Sequence, residues 1–209
     1  MAALAVHLLL LALERPGVLP KAERPIAPTK RRAFEAAKAR SHLLPSVLLV
    51  RTFDPGNVGS AARAMLNVGL CDLRLAAPLC EDWRTEEAIL RASGAAPLLQ
   101  HAQEFDSIRT ATADMQLVLA TTARTRDANL PVHTAREAAG LAASAIARGE
   151  RVGFVFGSEK NGLSNAEIRS VCALHACADL HCMLRFLKSD CACFPFVTAH
   201  LLDAAHCHF

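Results

Sequence analysis

The chain has 209 residues, with 23 Lys and Arg side chains against 20 Asp and Glu, so its formal charge is +3 with histidine neutral. Hydrophobic residues make up 52% of the sequence, a share that excludes an intrinsically disordered chain and allows one domain with a buried core. Aromatic residues make up only 5% and tyrosine is absent, which argues against a surface built from several stacked aromatic rings.

Residues 1–45 form an N-terminal extension with eight basic and three acidic side chains, which leaves residues 46–209 with a net charge of −2. Its apolar run, Leu4 to Leu13, is too short to span a bilayer, so no membrane partner is expected. The extension is compatible with an organelle-targeting segment, a solvated extension or a helix cut off from an upstream region. The compartment stays open between the cytoplasm and a plastid or mitochondrion. The run Lys30-Arg31-Arg32 either contacts RNA phosphates or is simply solvated.

Residues 46–172 show an alternation of strand and helix patterns. Four continuous apolar runs predict strands buried on both faces of a parallel sheet, at residues 47–50, 73–76, 117–120 and 152–156. Helical spacing is seen from Val58 to Leu66 with Gly69 as a C-cap, from about 84 to 93, from 136 to 147, and from 165 onward after a Ser164 N-cap. The alternation predicts an α/β fold, a parallel sheet flanked by helices.

Two polar loops follow the first and third predicted strands, at the edge where ligands collect in such sheets. Residues 54–59 lead into a helix whose N-terminus can bind an anion, and Arg63 on that helix is either a phosphate or oxyanion ligand or a solvated arginine. Residues 121–126 are either a site for adenosine and phosphate, with Arg124 and Arg126 for the phosphates, or a plain polar turn.

A third loop, residues 156–164, follows the last predicted strand. Gly157 and Gly162 have the spacing of a phosphate-binding loop, but Leu163 and Ser164 stand where an ATPase or GTPase needs lysine and then serine or threonine. The dinucleotide-binding fingerprint and the hydrolase nucleophile elbow are also absent from the sequence. An ATPase or GTPase is therefore excluded, and a hydrolase has no visible catalytic centre in the sequence.

Residues 173–209 form a tail of unusual composition. Six of the eight cysteines and five of the nine histidines lie between Cys172 and His208. Their spacing lacks the paired ligands of structural zinc sites, so no metal is expected, although a zinc-stabilised RNA-binding module stays an alternative for this tail. The composition favours an altered gene product, for example one with a retained intron, over a novel domain.

Taken together, the loops resemble one enzyme family. Residues 55–70, PGNVGSAARAMLNVGL, resemble motif 1 of the SpoU/TrmH group of SPOUT RNA 2′-O-methyltransferases, and residues 156–164, FGSEKNGLS, resemble their motif 2. Residues 72–75, 91–95 and 122–126 resemble the TrmJ branch, which methylates an anticodon-loop ribose of tRNA. The resemblance covers residues 46 to about 172 and implies an α/β knot fold, a homodimer, a tRNA substrate and S-adenosylmethionine as methyl donor.

The resemblance also implies roles for individual residues. Arg63 and Asn57 would be catalytic, while Gly59 and Glu159 would be structural residues of the motif 1 and motif 2 loops. The cofactor-binding residues would be Thr121, Thr122, Ala123, Gly157, Gly162 and Leu163. The RNA-binding residues would be Arg63, Arg124, Arg126 and Lys160.

The sequence departs from the family after about Cys172, because motif 3, a short strand followed by Ser-Leu-Asn at the start of a helix, is missing. In the family this motif completes the cofactor pocket and the knot. We therefore expect an incomplete knot, irregular packing after residue 172 and weak or undetectable cofactor binding. The alternative function is a catalytically inactive family member that binds RNA or dimerises.

Overall fold

The computed structural model of the chain describes residues 28–121, 131–170 and, for the backbone alone, 174–177. The strands in this part of the chain are Ser46–Val50 (β1), Leu73–Ala76 (β2), Gln103–Phe105 (β3), Leu117–Thr121 (β4), Val132–His133 (β5), Val152–Phe156 (β6) and Leu174–Cys177 (β7). The helices are Pro28–Ala39 (α1), Pro55–Asn67 (α2), Glu86–Ala92 (α3), Ala96–His101 (α4), Ile108–Ala111 (α5), Ala135–Ala147 (α6) and Asn165–Arg169 (α7), with a 3-10 turn at Ser41–Leu43. No helix among the described residues has the length and apolarity needed to cross a membrane.

The described strands form one sheet in the order β3-β2-β1-β6-β4-β7-β5, and every pair is parallel. All four predicted strands are present, and the prediction of a parallel sheet flanked by helices is confirmed. The central strands β1 and β6 are buried along their whole length. This burial explains why their sequences are continuous apolar runs rather than alternating ones.

Two hydrophobic clusters cover the two faces of the sheet. Val47 and Leu49 of β1 face a large cluster that receives buried side chains from α1, α2, α3, α4 and α6. Leu48 and Val50 face a smaller cluster with Ile108 of α5 and Ile168 of α7. Successive β1 residues therefore pack in different cores, as the two-residue period of a strand requires.

The N-terminal extension is partly built into the domain. On α1, Phe34 and Ala37 are buried in the larger cluster, and the Phe34 ring lies 5.0 Å from the ring of His101 at the end of α4. The interpretation of this stretch as a solvated extension is therefore wrong for α1, because an apolar face at i and i+3 docks it against the core.

The sheet continues past Cys172, after which the sequence was expected to depart from the family. The backbone of β7 pairs in regular parallel register with β4, from Val118↔Leu174 to Thr121↔Cys177, and with β5 on its other side. The expectation of irregular packing after residue 172 is wrong for these four residues, since a backbone ladder forms regardless of the side chains that it carries. Residues 178–209, which hold most of the Cys/His-rich tail, lie outside the described residues.

A network of charges holds the amino ends of the strands. Arg74 of β2 is 6% exposed, and its guanidinium donates to Asp114 at 2.6 and 2.8 Å and to Asp72 at 3.1 and 3.3 Å. Arg151 donates to Asp72 at 3.0 Å, and the hydroxyl of Ser46 donates to the same carboxylate at 2.5 Å. Burial lowers the pKa of Arg74, but hydrogen bonds to Asp114 and Asp72 raise it further than burial lowers it. The carboxylates of Asp72 and Asp114 therefore neutralise the buried guanidinium of Arg74. This network lies where the chain enters β1, β2, β4 and β6.

Helices α2 and α3 pack so closely that one position between them requires glycine. A Cβ atom built on Gly59 of α2 would lie 2.1 Å from the carbonyl oxygen of Ala88 in α3. Gly140 of α6 makes a matched comparison, because a Cβ atom there meets nothing within 4 Å.

We expect Gly59→Ala to destabilise the domain by about 1–3 kcal/mol, since the added methyl must push two helix backbones apart. Gly140→Ala should stabilise it by about 0.5–1 kcal/mol through helix propensity. Urea unfolding of both variants measures the difference. An unchanged midpoint for Gly59→Ala would contradict the close packing of α2 on α3.

Candidate functional site at the carboxyl edge of the sheet

The candidate site lies where β1, β6 and β4, three neighbouring strands, end at the same edge of the sheet. After β1 the chain reaches Asp54, whose carboxylate accepts a hydrogen bond from the backbone N–H of Gly56 at 2.8 Å and caps α2. The helix starts at Pro55, so residues 55–59 are helical rather than a loop before the helix. The reason is the capping aspartate followed by proline at the first helical position, a strong start signal. Gly59, expected in the loop, is a helix-packing residue.

The Glu159 carboxylate joins the motif 1 and motif 2 segments. Its Oε1 accepts a hydrogen bond from Asn57 Nδ2 at 3.0 Å, and its Oε2 accepts one from the backbone N–H of Phe53 at 3.3 Å. Residues separated by about a hundred positions in the sequence are thereby fixed against each other. Asn57 is half-buried, and its side-chain orientation is set by this carboxylate.

The motif 2 segment folds into a tight turn. The backbone N–H of Gly162 donates to the carbonyl of Ser158 at 2.8 Å, and Gly162 has a φ of +63°, which favours glycine. A Cβ atom on Gly157 would lie 2.2 Å from the carbonyl carbon of Gly162, so the two ends of the turn touch. The Leu163 side chain is 2% exposed in the smaller hydrophobic cluster. Leu163 therefore offers only its backbone to the site.

Arg51, which the sequence interpretation missed, ties this turn to the end of β1. Its Nε lies 2.5 Å from Glu167 Oε1, and its Nη2 donates to Glu167 Oε2 at 3.1 Å and to the carbonyl of Gly162 at 3.4 Å. Glu167 also accepts from the N–H of Ser164 in a capping box, a pattern that the sequence does show. Arg51 has a φ of +50°, unusual for a residue with a side chain, and no local pattern indicates it.

Arg63 projects from α2 into solvent. It is exposed, and it makes no hydrogen bond or ion pair with the residues that the structure describes. Six positions separate it from Asn57, which corresponds to about 9 Å along the helix axis. The structure places the two predicted catalytic residues on one helix without bringing their side chains into contact, and Arg63 is available to a ligand rather than buried.

A cation and an aromatic ring lie beside the Glu159 link. Lys160 Nζ lies 4.7 Å from the ring centroid of Phe53, and the Phe53 side chain is 42% exposed. A phenylalanine in the short segment between the buried strand β1 and Asp54 was the available sequence signal for Phe53, which the sequence prediction did not use. Lys160, a predicted RNA-binding residue, therefore stands at the same edge as Asn57.

The neighbouring thiol is protected from ionisation. Burial raises the pKa of Cys80, and the Glu159 carboxylate raises it further. Its backbone N–H donates to the carbonyl of Thr52 at 3.3 Å, which places it at this edge. Because the thiolate is the reactive form of cysteine, Cys80 is unsuited to act as a nucleophile here.

The second predicted loop is described only at its first residue. Thr121 ends β4, and its hydroxyl donates to the carbonyl of Val155 in β6 at 3.1 Å. Thr122, Ala123, Arg124 and Arg126 lie outside the described residues, so their predicted roles in cofactor and RNA binding stay predictions. Among the residues described, no group of three or more His, Cys, Asp or Glu side chains is arranged to hold a metal ion.

Comparison with known proteins identifies relatives that are named as tRNA 2′-O-methyltransferases. The tRNA (cytidine/uridine/adenosine-2′-O-)-methyltransferase TrmJ of Pseudomonas aeruginosa is 40% identical over 129 residues, which cover 62% of this chain and 49% of that protein. The tRNA (cytidine/uridine-2′-O-)-methyltransferase TrmJ of Salmonella typhimurium is also 40% identical, over 62% of this chain and 51% of its own length. The chain spans about half the length of these curated relatives.

Solved structures share the fold. TrmJ from Z. mobilis ZM4 superposes with a TM-score of 0.62 and 32% identity, covering 77% of this chain and 70% of that one. A probable methyltransferase from Bordetella pertussis Tohama I has a TM-score of 0.66 and 31% identity, covering 79% of this chain and 99% of that one. The model of the SpoU rRNA Methylase family matches residues 45–176, which include both motifs and the first three residues of β7. The chain therefore belongs to the SpoU rRNA Methylase family.

Proposed function

We propose that this chain is an S-adenosylmethionine-dependent methyltransferase that methylates a ribose 2′-hydroxyl of tRNA. The observation that carries the proposal is the Asn57–Glu159 hydrogen bond at 3.0 Å, which joins motif 1 to motif 2 at the carboxyl edge of the sheet. The family and the named activity of its TrmJ relatives support it. The functional unit in this proposal is a homodimer.

The described residues fit an adenosine-containing cofactor. Gly157 and Gly162 are half-exposed, and a Cβ atom at Gly162 would meet nothing within 4 Å, so backbone groups of the turn are open to a ligand. Thr121 at the end of neighbouring β4 is also partly exposed. Backbone amides and carbonyls of this kind would bind the adenine and ribose of the cofactor. When bound, S-adenosylmethionine supplies an activated methyl group.

Arg63 provides the charge that the acceptor hydroxyl needs. A ribose 2′-hydroxyl is a weak nucleophile until it loses its proton, and a guanidinium beside the oxygen and the adjacent phosphate stabilises the resulting negative charge. Arg63 is exposed and without an ion-pair partner among the described residues, so its charge is available for this task. Lys160 and Phe53 stand near Asn57, where they can contact the same RNA.

The test is transfer of tritiated methyl groups from S-adenosylmethionine to unmodified tRNA at high cofactor concentration. We expect label in tRNA, recovered as a 2′-O-methylated nucleoside after nuclease digestion. Label in a base rather than a ribose would contradict the proposed reaction. Binding of tRNA without any transfer would favour the inactive family member, and sedimentation of the same preparation tests the homodimer.

Cofactor affinity is expected to be low, because the sequence has no Ser-Leu-Asn motif, the segment that completes the cofactor pocket in the family. Calorimetry should show weak or undetectable binding of S-adenosylmethionine. A variant that carries a family-type motif 3 in place of the chain after Cys177 should bind more tightly, since β7 already provides the preceding strand. Tight, stoichiometric binding by the unaltered chain would contradict this expectation.

A further inference from the structure

The first turn of α1 lies at the same edge of the sheet as the candidate site. Lys30 Nζ donates to the carbonyl of Ser93, directly after α3, whereas Lys38 at the other end of α1 lies 3.0 Å from the ring nitrogen of His101. Only Ala102 separates His101 from the start of β3, at the amino edge of the sheet. Helix α1 therefore runs from the carboxyl edge at Lys30 to the amino edge at Lys38.

The packing of α3 on α2 fixes the position of Ser93 more closely. Gly59 of α2 touches the backbone of Ala88, and a Cβ atom on Gly56 would lie 2.5 Å from Arg91 Nε. The two helices are thus antiparallel, and the end of α3 lies beside the start of α2. Because Asn57 follows Gly56, the basic first turn of α1 and Arg91 border the motif 1 segment.

The charge of this border is strongly basic. Residues 28–34 carry three basic side chains, Lys30, Arg31 and Arg32, and no acidic one, whereas residues 46–209 have a net charge of −2. Arg31 and Arg32 are exposed, and neither makes a hydrogen bond or ion pair with the residues that the structure describes. Arg91 is exposed and pairs with Glu87 at 2.7 Å, an i,i+4 contact at the surface. Such exposed pairs are weak and exchange readily for other partners.

We propose that Lys30, Arg31, Arg32 and Arg91 form a phosphate-binding surface that holds the RNA backbone next to the methylation site. This inference rests on the proposed function, since it names the surface that presents the RNA substrate to Arg63. Because residues 46–209 have a net charge of −2, their bulk charge does not attract the RNA backbone, and local patches have to provide the attraction. Arginine suits this role because its guanidinium binds phosphate in a bidentate manner.

The test compares two double variants on the same helix. The variant Arg31→Gln/Arg32→Gln removes two positive charges at the carboxyl edge of the sheet, beside the candidate site. The control variant Lys38→Gln/Arg40→Gln removes two positive charges at or just beyond the opposite end of α1. Binding of fluorescent tRNA is measured by anisotropy at several salt concentrations, with methyl transfer measured separately. We expect the first variant to bind about tenfold more weakly, with a salt slope smaller by about two, and the control to change little.

Each outcome of these measurements supports or overturns the phosphate-binding surface, the proposed methyltransferase activity or both. Equal losses in the two variants would overturn the surface, because bulk charge rather than position would then explain binding. No loss in either variant would also overturn it, because the arginines would then not contribute to tRNA binding. Selective loss of tRNA binding in Arg31→Gln/Arg32→Gln supports the surface even if the bound tRNA is not methylated, a result that contradicts the proposed activity alone. No tRNA binding by the unaltered chain would overturn both. Loss of binding to phosphatidylserine vesicles with tRNA binding unchanged would assign the arginines to a membrane surface and overturn the proposal.

Discussion

Arg63→Ala is expected to lower kcat for methyl transfer by a factor on the order of a hundred or more, the scale for removing a preorganised group that stabilises charge in the transition state. The arginine is exposed on α2 and makes no contact in the described structure that its removal would break. Its loss should therefore leave the fold and the unfolding midpoint unchanged. Turnover is measured with tritiated S-adenosylmethionine and saturating tRNA.

Two further variants make this result specific. Arg109→Ala removes another exposed arginine, on α5, and should leave kcat unchanged. Arg63→Lys keeps the charge but loses the planar, bidentate group, so an intermediate kcat is expected. If Arg63→Ala turned over tRNA as fast as the unaltered chain, Arg63 would have no part in the chemistry.

Arg74→Ala is expected to have the largest effect on stability, about 3 kcal/mol, because it leaves Asp72 and Asp114 without the buried cation that they share. Arg151 still contacts both carboxylates, at 3.0 and 3.5 Å, which limits the loss. Urea unfolding gives the free energy. Arg148→Ala breaks an exposed pair with Glu150 and should change the free energy of unfolding little. Similar costs for both variants would contradict a stabilising role for the network.

The same network sets a pH dependence. The hydrogen bond from Arg74 lowers the pKa of Asp114 below its ordinary value of 3.8. A carboxylate whose pKa is lower in the folded state stabilises the fold above its ordinary pKa, and this contribution is lost as the pH falls through the folded-state value. The free energy of unfolding should therefore drop more steeply in acid for the unaltered chain than for Arg74→Ala. If the free energy of unfolding fell with pH equally steeply in both proteins, Asp114 would have no part in the loss of stability in acid.

The sequence predicted the sheet well because its strands are buried on both faces. Continuous apolar runs such as residues 152–156 have few alternatives, and β6 is found there residue for residue. The helix start was placed too late, because the sequence prediction followed the apolar spacing from Val58 and did not use Asp54 before Pro55 as a start signal. Strand β7 was missed, since Leu174–Cys177 is short and is not a continuous apolar run, and its place in the sheet comes from neighbours far along the chain.

The candidate site was predictable by residue type but not by contact. The motif resemblance named Asn57 and Glu159, and the structure adds that the amide of one donates to the carboxylate of the other. Arg51 carries no motif, and its contacts with Gly162 and Glu167 arise only when β1 and α7 are packed together. The contact between Lys30 and Ser93 likewise depends on the docking of α1 against the domain, which no local sequence pattern predicts.

The position of β7 has a consequence for synthesis of the chain on the ribosome. Within the described residues, β5 has no strand partner other than β7, which is translated some forty residues later. Until Leu174–Cys177 emerges, β4 presents an open backbone edge and β5 has no ladder to join. Unpaired edges of this kind are sites of association between nascent chains. A chain that stops before residue 174 would keep both motifs and still expose that edge, so residues 174–177 protect the protein against aggregation even where they contribute nothing to the methylation site.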